Sequence, residues 1–196
     1  MLSTINLEPF FDQIDQKSWV ILPFETSFAL EILSTAQQVY TEGFFKSAHT
    51  TSDQTGTIRN DQTFWLDPIN PVQKPVFQKI HSFLDTLMFQ LKSHYRISLD
   101  HYECHFAHYP IGHFYKKHSD QTLHDNKRIF SFVIYLNENW TEQNGGQLVG
   151  YDSNQVEIFK TLPDMGQMIV FNSSVEHEVL TSHKPRWSLT GWFRIK

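Results

Sequence analysis

His118-Ser119-Asp120 sets an imidazole and a carboxylate two residues apart. On an extended backbone, positions i and i+2 face the same way, so the two side chains can converge on one point. Singly the motif says little, because H-x-D arises by chance and surface polarity accounts for it. A third donor is His177, in Val175-Glu176-His177-Glu178-Val179, just after an expected strand. Two imidazoles and one carboxylate, with coordination positions left open, make the facial triad of non-haem Fe(II) sites. Arg186 and Ser188 are again i and i+2, and put a guanidinium and a hydroxyl on one strand face. Such a fork of donors suits a carboxylate held at two points. Alone, Arg186 would pair with a surface acid. Beside a metal with open positions, it suits a small keto acid that chelates iron at one end and is anchored at the other.

The elements that must position these residues are strands, after a helical first half. Thr26 or Ser27 is an expected N-cap for a helix with Ala29, Leu33, Ala36 and Tyr40 on one face. A second helix starts at Pro75 and repeats Val76, Ile80, Phe83, Leu84, Leu87 and Leu91 at helical spacing. Between them Thr50 to Gly56 is a polar loop, expected to be mobile, and residues 58–65 read as a short strand. From Asp100 onward the expected strands are 102–109, 128–136, 147–151, 167–171 and 186–195. In the second of these Phe130, Phe132, Ile134 and Leu136 share one face, with Ser131, Val133 and Tyr135 on the other. In the last, Arg186, Ser188, Thr190 and Trp192 share a face. The expected fold is mainly β, a jelly roll with N-terminal helices packed on one sheet. It forms a single domain over 1–196, helical to about residue 98 and strand-rich from about 99.

Composition agrees. At 196 residues with 40% hydrophobic and 19% charged residues, the chain is long enough for one well-packed domain and too apolar for wholesale disorder. The 17 Phe, 7 Tyr and 5 Trp favour a β-rich core. A net charge of −5 argues against a general nucleic-acid surface. No apolar run approaches membrane-spanning length, and the N-terminus lacks the pattern of a signal peptide. Cys104 is the only cysteine, which excludes an internal disulfide and makes a reducing, cytoplasmic setting the simplest expectation.

Taken in order, His118-x-Asp120, Tyr135-Leu136-Asn137, Gly145-Gly146, His177-Glu178-Val179, Arg186-x-Ser188 and Gly191-Trp192-Phe193 resemble the Fe(II)/2-oxoglutarate dioxygenases of the prolyl 4-hydroxylase type. Within them, the pattern resembles the branch of the hypoxia-sensing prolyl hydroxylases and their small bacterial relatives. The likeness spans roughly residues 40 to 196, and it implies a double-stranded β-helix. It implies that His118, Asp120 and His177 bind Fe(II) and that Arg186 holds the far carboxylate of 2-oxoglutarate. Tyr135 would donate to the same carboxylate, and Tyr109 would lie near the bound co-substrate. Tyr115 would sit near substrate and iron. Arg59 and Asp61 match an Arg-x-Asp pair, and Arg128 matches a basic residue that pairs with the acid at the place of Asp61, latching the Thr50 loop to the β core. O2 would be the second co-substrate and ascorbate the reductant. Two stretches depart from the pattern. Residues 121–127 are short and lack the glycine-rich insert of the animal enzymes, and residues 47–56 align poorly; both flank the expected substrate groove. Secreted collagen-type enzymes use lysine where this chain has Arg186.

The plainest readings apply elsewhere. His101, His105, His108, His113 and His124 are expected to be solvated or hydrogen-bonded, His183 exposed, Cys104 a small core residue, and Glu176 or Glu178 either exposed or orienting His177. The expected function is prolyl hydroxylation of a protein or peptide, with release of succinate and CO2. The same iron chemistry on a free amino acid or small metabolite remains open, as does a non-catalytic sensor of iron, 2-oxoglutarate or oxygen.

Overall fold

The computed structural model describes residues 7–48, 57–67, 72–121 and 125–196. The expected loop at Thr50 to Gly56 and His124 lie outside them. Two antiparallel sheets face each other, with helices on the outside of the larger one. The elements are α1 (Glu8–Lys17), β1 (Trp19–Pro23), α2 (Thr26–Thr41), β2 (Lys46–Ser47), β3 (Gln62–Trp65), α3 (Pro75–Tyr95), β4 (His101–Tyr109), β5 (Tyr115–His118), β6 (Arg128–Tyr135), β7 (Leu148–Tyr151), β8 (Glu157–Thr161), β9 (Gln167–Asn172), β10 (Glu176–Val179) and β11 (Arg186–Arg194). The major sheet runs β1-β9-β6-β11-β4-β3-β2, and the minor sheet β5-β10-β7-β8.

Strand periodicity builds two cores. On β6, Phe130, Phe132 and Ile134 turn outward to the helices, where they meet Ile80, Leu84, Leu87 and Leu91 of α3. The alternate residues Val133 and Tyr135 turn inward and pack with Leu148, Phe159 and Phe171 between the sheets. This is the division of faces expected from the sequence, and the α3 stripe also lies in the core as expected. Gly191 sits where β11 crosses β4. A Cβ there would lie 2.1 Å from the Glu103 carbonyl oxygen, so only glycine lets the strands approach this closely.

Several boundaries differ from expectation. The first half is not purely helical, because β1, β2 and β3 complete both sides of the major sheet. Glu25, not Thr26 or Ser27, is the N-cap of α2, with no side-chain cap bond; the Ser27 hydroxyl donates instead to the Glu25 carboxylate. The buried stripe of α2 is Ala29, Ile32, Ala36 and Val39. Tyr40 turns to the sheet surface and packs edge-on against His108 and Trp187. Only Gln62–Trp65 of the expected strand at 58–65 joins the sheet, while Arg59 makes a lone bridge to Tyr115.

Candidate active site

A cleft opens between the two sheets, and Tyr109, Tyr115, His118, Asp120, His177 and Arg186 all line it. His177 on β10 lies directly across from His118 on β5. Asp120 is not a third position on that strand, as simple i, i+2 geometry would have it. It lies in the bend that follows β5, held over the sheets by bonds from the Ser119 hydroxyl and the Gln121 N–H to the Ser173 carbonyl. His118 Nε2 is 3.8 Å from one Asp120 oxygen and His177 Nε2 is 3.5 Å from the other. Donors each about 2.1 Å from one shared ion are separated by about 3–4 Å, so the three can hold a single metal.

The rings are fixed for that task. His118 Nδ1–H donates to the Lys116 carbonyl at 2.8 Å and His177 Nδ1–H to the Val175 carbonyl at 2.9 Å. Each bond leaves Nε2 with its lone pair toward Asp120. Burial and the facing His177 ring push His118 well below the ordinary imidazole value, so it is a neutral donor at pH 7. Burial alone would raise the Asp120 carboxyl. The two imidazoles and hydrogen bonds from Ser131, at 2.6 Å, and from the Trp192 side chain outweigh it and hold Asp120 below its ordinary value. Tyr115 stacks flat on His118 with ring centroids 3.6 Å apart. Glu176 and Glu178 do not orient His177: they bond Gln155 and Tyr151.

Arg186 opens β11 opposite Tyr109 of β4, and it is 1% exposed. Its Nε donates to the Gly146 carbonyl at 2.9 Å and Nη1 to the Ser188 hydroxyl at 3.2 Å. Gly146 has φ +67°, and a Cβ there would meet the Arg186 side chain at 3.0 Å, so the Gly145-Gly146 turn is shaped around this guanidinium. The Tyr109 ring lies 4.9 Å and the Tyr135 ring 5.7 Å from the guanidinium carbon. No carboxylate pairs with Arg186 among the described residues. Buried cations are normally paired, so this one is built for an anion that arrives from outside the chain. The Tyr135 hydroxyl, pushed up to about 12 by burial, hydrogen-bonds Thr161 of β8, a neighbour that the sequence reading missed along with its strand.

The expected latch is overturned. Asp61, fully buried, is gripped at two points by Arg59, with Nε–Oδ1 2.6 Å and Nη2–Oδ2 2.9 Å. Arg128 instead bonds Glu103 at 3.2 Å and lies 3.7 Å over the Trp192 ring. Arg194 also takes Glu103, at 2.8 Å. Chain proximity decides the choice: Arg59 reaches Asp61 across one residue, whereas Arg128 starts β6 beside β11 and its row of partners. Asp61→Ala is therefore expected to destabilise by up to about 3–5 kcal/mol, since it strands a largely covered guanidinium, 14% exposed. Arg128→Ala should cost only about 0–1 kcal/mol for its partly exposed ion pair, plus about 0.5–1 kcal/mol for the ring contact. Urea unfolding of the two single variants and the double checks this: the losses should add. Equal, non-additive losses would restore the latch.

Among the remaining histidines, His183 is exposed and His101 pairs with Asp100, as expected. Cys104 is buried, its thiol pushed up to about 12 by burial. His105 is neither solvated nor hydrogen-bonded among the described residues.

The profile of the 2OG-Fe(II) oxygenase superfamily matches residues 104–194. No curated protein sequence matches the chain. Among solved structures, a prolyl-4-hydroxylase of Pseudomonas putida superposes with a TM-score of 0.86 at 32% identity, over 97% of this chain and 100% of that one. A Trichoplax adhaerens prolyl hydroxylase, solved with a hypoxia inducible factor oxygen degradation domain peptide fragment, also gives 0.86, at 24% identity over 96% of this chain and 89% of that one. A Phytophthora capsici prolyl 4-hydroxylase gives 0.77 at 23% identity, over 95% of this chain and 62% of that one. An unpaired buried arginine behind a His-Asp-His cluster is what an enzyme that uses iron and a keto diacid requires, and with a full-length relative at 32% identity the chain belongs to the Fe(II)/2-oxoglutarate oxygenases of the prolyl 4-hydroxylase type.

Proposed function

We propose that the protein hydroxylates a prolyl residue in a protein or peptide, with 2-oxoglutarate and O2 consumed and succinate and CO2 released. The observation that carries the reading is Arg186, a buried guanidinium without a carboxylate partner among the described residues, in the cleft that the three metal donors line. His118, Asp120 and His177 would hold Fe(II), which when bound supplies the oxidising chemistry. Arg186 and Ser188 bind the distal carboxylate, and the Tyr109 and Tyr135 rings wall its guanidinium. Against its burial, Asp120 keeps its charge through the two facing imidazoles, His177 and His118, and through hydrogen bonds from Ser131 and Trp192, so the donor set includes a carboxylate anion. Val133, Leu148 and Phe171 line the inner wall and exclude water from the reacting atoms. Tyr115, held against His118 and under the Arg59 guanidinium at 4.7 Å, stands on the substrate side. The 32% identity to a bacterial prolyl-4-hydroxylase supports the prolyl target, and ascorbate is the reductant the family implies. The single cysteine is in keeping with a cytoplasmic setting.

The test is incubation of the purified protein with Fe(II), 2-oxoglutarate and a proteome of its native source. The expected result is a mass gain of one oxygen atom on prolyl residues, with matching succinate release. Succinate release driven only by the small-molecule fraction, with no modified protein, would replace the peptide by a metabolite.

A further inference from the structure

Among the described residues that line the cleft, His105 is the buried polar side chain left without a hydrogen-bond partner. It sits mid-strand on β4, paired with Thr190 of β11 on one side and Trp65 of β3 on the other. The residue is 1% exposed and lines the cleft. Its ring packs beside two indoles, 4.6 Å from Trp65 and 5.5 Å from Trp192, which also touch each other at 6.1 Å. Neither ring nitrogen has a hydrogen-bond partner among the described residues. His118 and His177, in the same cleft, each have Nδ1 tied to a backbone carbonyl. A core position of this size is filled without cost by methionine or leucine, whereas an imidazole left unbonded is destabilising. Thr190 does not relieve it: its hydroxyl donates to the Phe132 carbonyl and makes no bond to the ring.

Its place along the sheet says what it faces. Arg186, Ser188 and Thr190 descend one face of β11, so His105, opposite Thr190, lies about 13 Å along the strand from the carboxylate anchor. That is the Trp192 side of the metal donors, away from the co-substrate's far end. The cover there is Trp65, 43% exposed at the rim. Burial, together with Arg59 and Arg128, holds the ring well below its ordinary pKa, so it is neutral. A neutral imidazole offers one N–H donor and one acceptor, as a peptide group does. Arg59 and Arg128 are already taken by Asp61 and Glu103, so the surroundings favour an uncharged amide over a free carboxylate.

We propose that His105 is a specificity-determining positioning residue, which hydrogen-bonds a backbone amide of the peptide substrate when the incoming chain displaces Trp65 from the ring. This rests on the peptide reading above.

The experiment uses the protein loaded with Mn(II) and 2-oxoglutarate, and two probes: a panel of capped synthetic peptides with one central proline, and free L-proline. His105→Leu is expected to weaken binding of the peptides the wild type accepts by about tenfold or more. Its Mn(II) and 2-oxoglutarate affinities should stay within about twofold, because no bond to either is lost. Removing an unsatisfied ring should also raise Tm by roughly 2–8 °C. His105→Gln and His105→Asn place an amide near Nε2 and Nδ1, and one of them should recover most of the peptide affinity. Peptide binding unchanged in His105→Leu overturns the proposal, and so does a fall in Tm, which would show the ring already satisfied in the free protein. A wild type that binds L-proline and none of the peptides locates the failure in the peptide reading itself, and the proposal falls with it.

Discussion

Asp120→Ala is expected to abolish turnover and to remove most of the affinity for Fe(II). Asp120 is the only carboxylate among the three donors, and two imidazoles facing one another cannot replace it. The fold should survive, at a cost of about 1–3 kcal/mol for each donor left unpaired, because Ser131 and Trp192 both bond this carboxylate. His118→Ala and His177→Ala should lose metal in the same way, although each frees only one backbone carbonyl, that of Lys116 or Val175. Two measurements separate chemistry from folding. Metal analysis after gel filtration reads the bound ion. Thermal unfolding with and without Mn(II) reads the same site without turnover, since a ligand at about 100 times its Kd stabilises by about 2.7 kcal/mol. That shift should be present in the wild type and absent in the three variants. Wild-type succinate release from Asp120→Ala would remove the metal from this site.

What was legible in the sequence follows from which forces act locally. β6 and β11 are buried on both faces, and their alternation survives because each face meets a different core: Phe132 the helices, Val133 the cleft. That same alternation puts Arg186 and Ser188 together, and the bond between them is present. β8 and β10 escaped notice because they are short and carry Glu157, Lys160, Glu176 and Glu178 among their few residues. α1 and β1 went unread although Trp19–Pro23 pairs with Gln167 to Phe171 of β9, since five residues give too little periodicity to stand out. His177 was found as a chemical type, yet its strand was not; Thr161, which engages Tyr135, was missed along with β8.

Partner choice was the least legible part. Arg59, Arg128 and Arg194 compete for Asp61, Glu103 and Asp125, and only the register of β4 against β11 decides that Glu103 takes two of them. The turn at Gly145-Gly146 was visible as a turn, but its purpose was not. Its carbonyl anchors a guanidinium that lies 40 residues further along the chain. His105 illustrates the limit from the other side. A histidine in a strand is ordinarily satisfied, and no spacing rule announces one that is not.

Arg186 carries the second large effect, and its sign differs between stability and binding. A buried guanidinium without a carboxylate partner among the described residues is an electrostatic cost in the free protein, only partly offset by Gly146 and Ser188. Arg186→Met keeps most of the volume and removes the charge, so it should unfold no earlier than wild type. The same change should weaken 2-oxoglutarate by roughly 30-fold or more, the equivalent of about 2–5 kcal/mol for losing the partner of a buried anion. Arg186→Lys keeps the charge without the fork and should fall between the two. Tyr135→Phe tests whether the hydroxyl leaves Thr161 for the co-substrate. A bond to a charged carboxylate is worth about 1.5–3 kcal/mol, and a bond to a neutral hydroxyl about 0.5–1.5 kcal/mol in stability alone. Titration of 2-oxoglutarate into each Mn(II)-loaded variant, beside its urea midpoint, reads both quantities. Loss of affinity with stability retained is the expected pairing for Arg186→Met. A variant that loses both together would mean that Arg186 is part of the scaffold, and unchanged affinity would mean that the anchor lies elsewhere in the cleft.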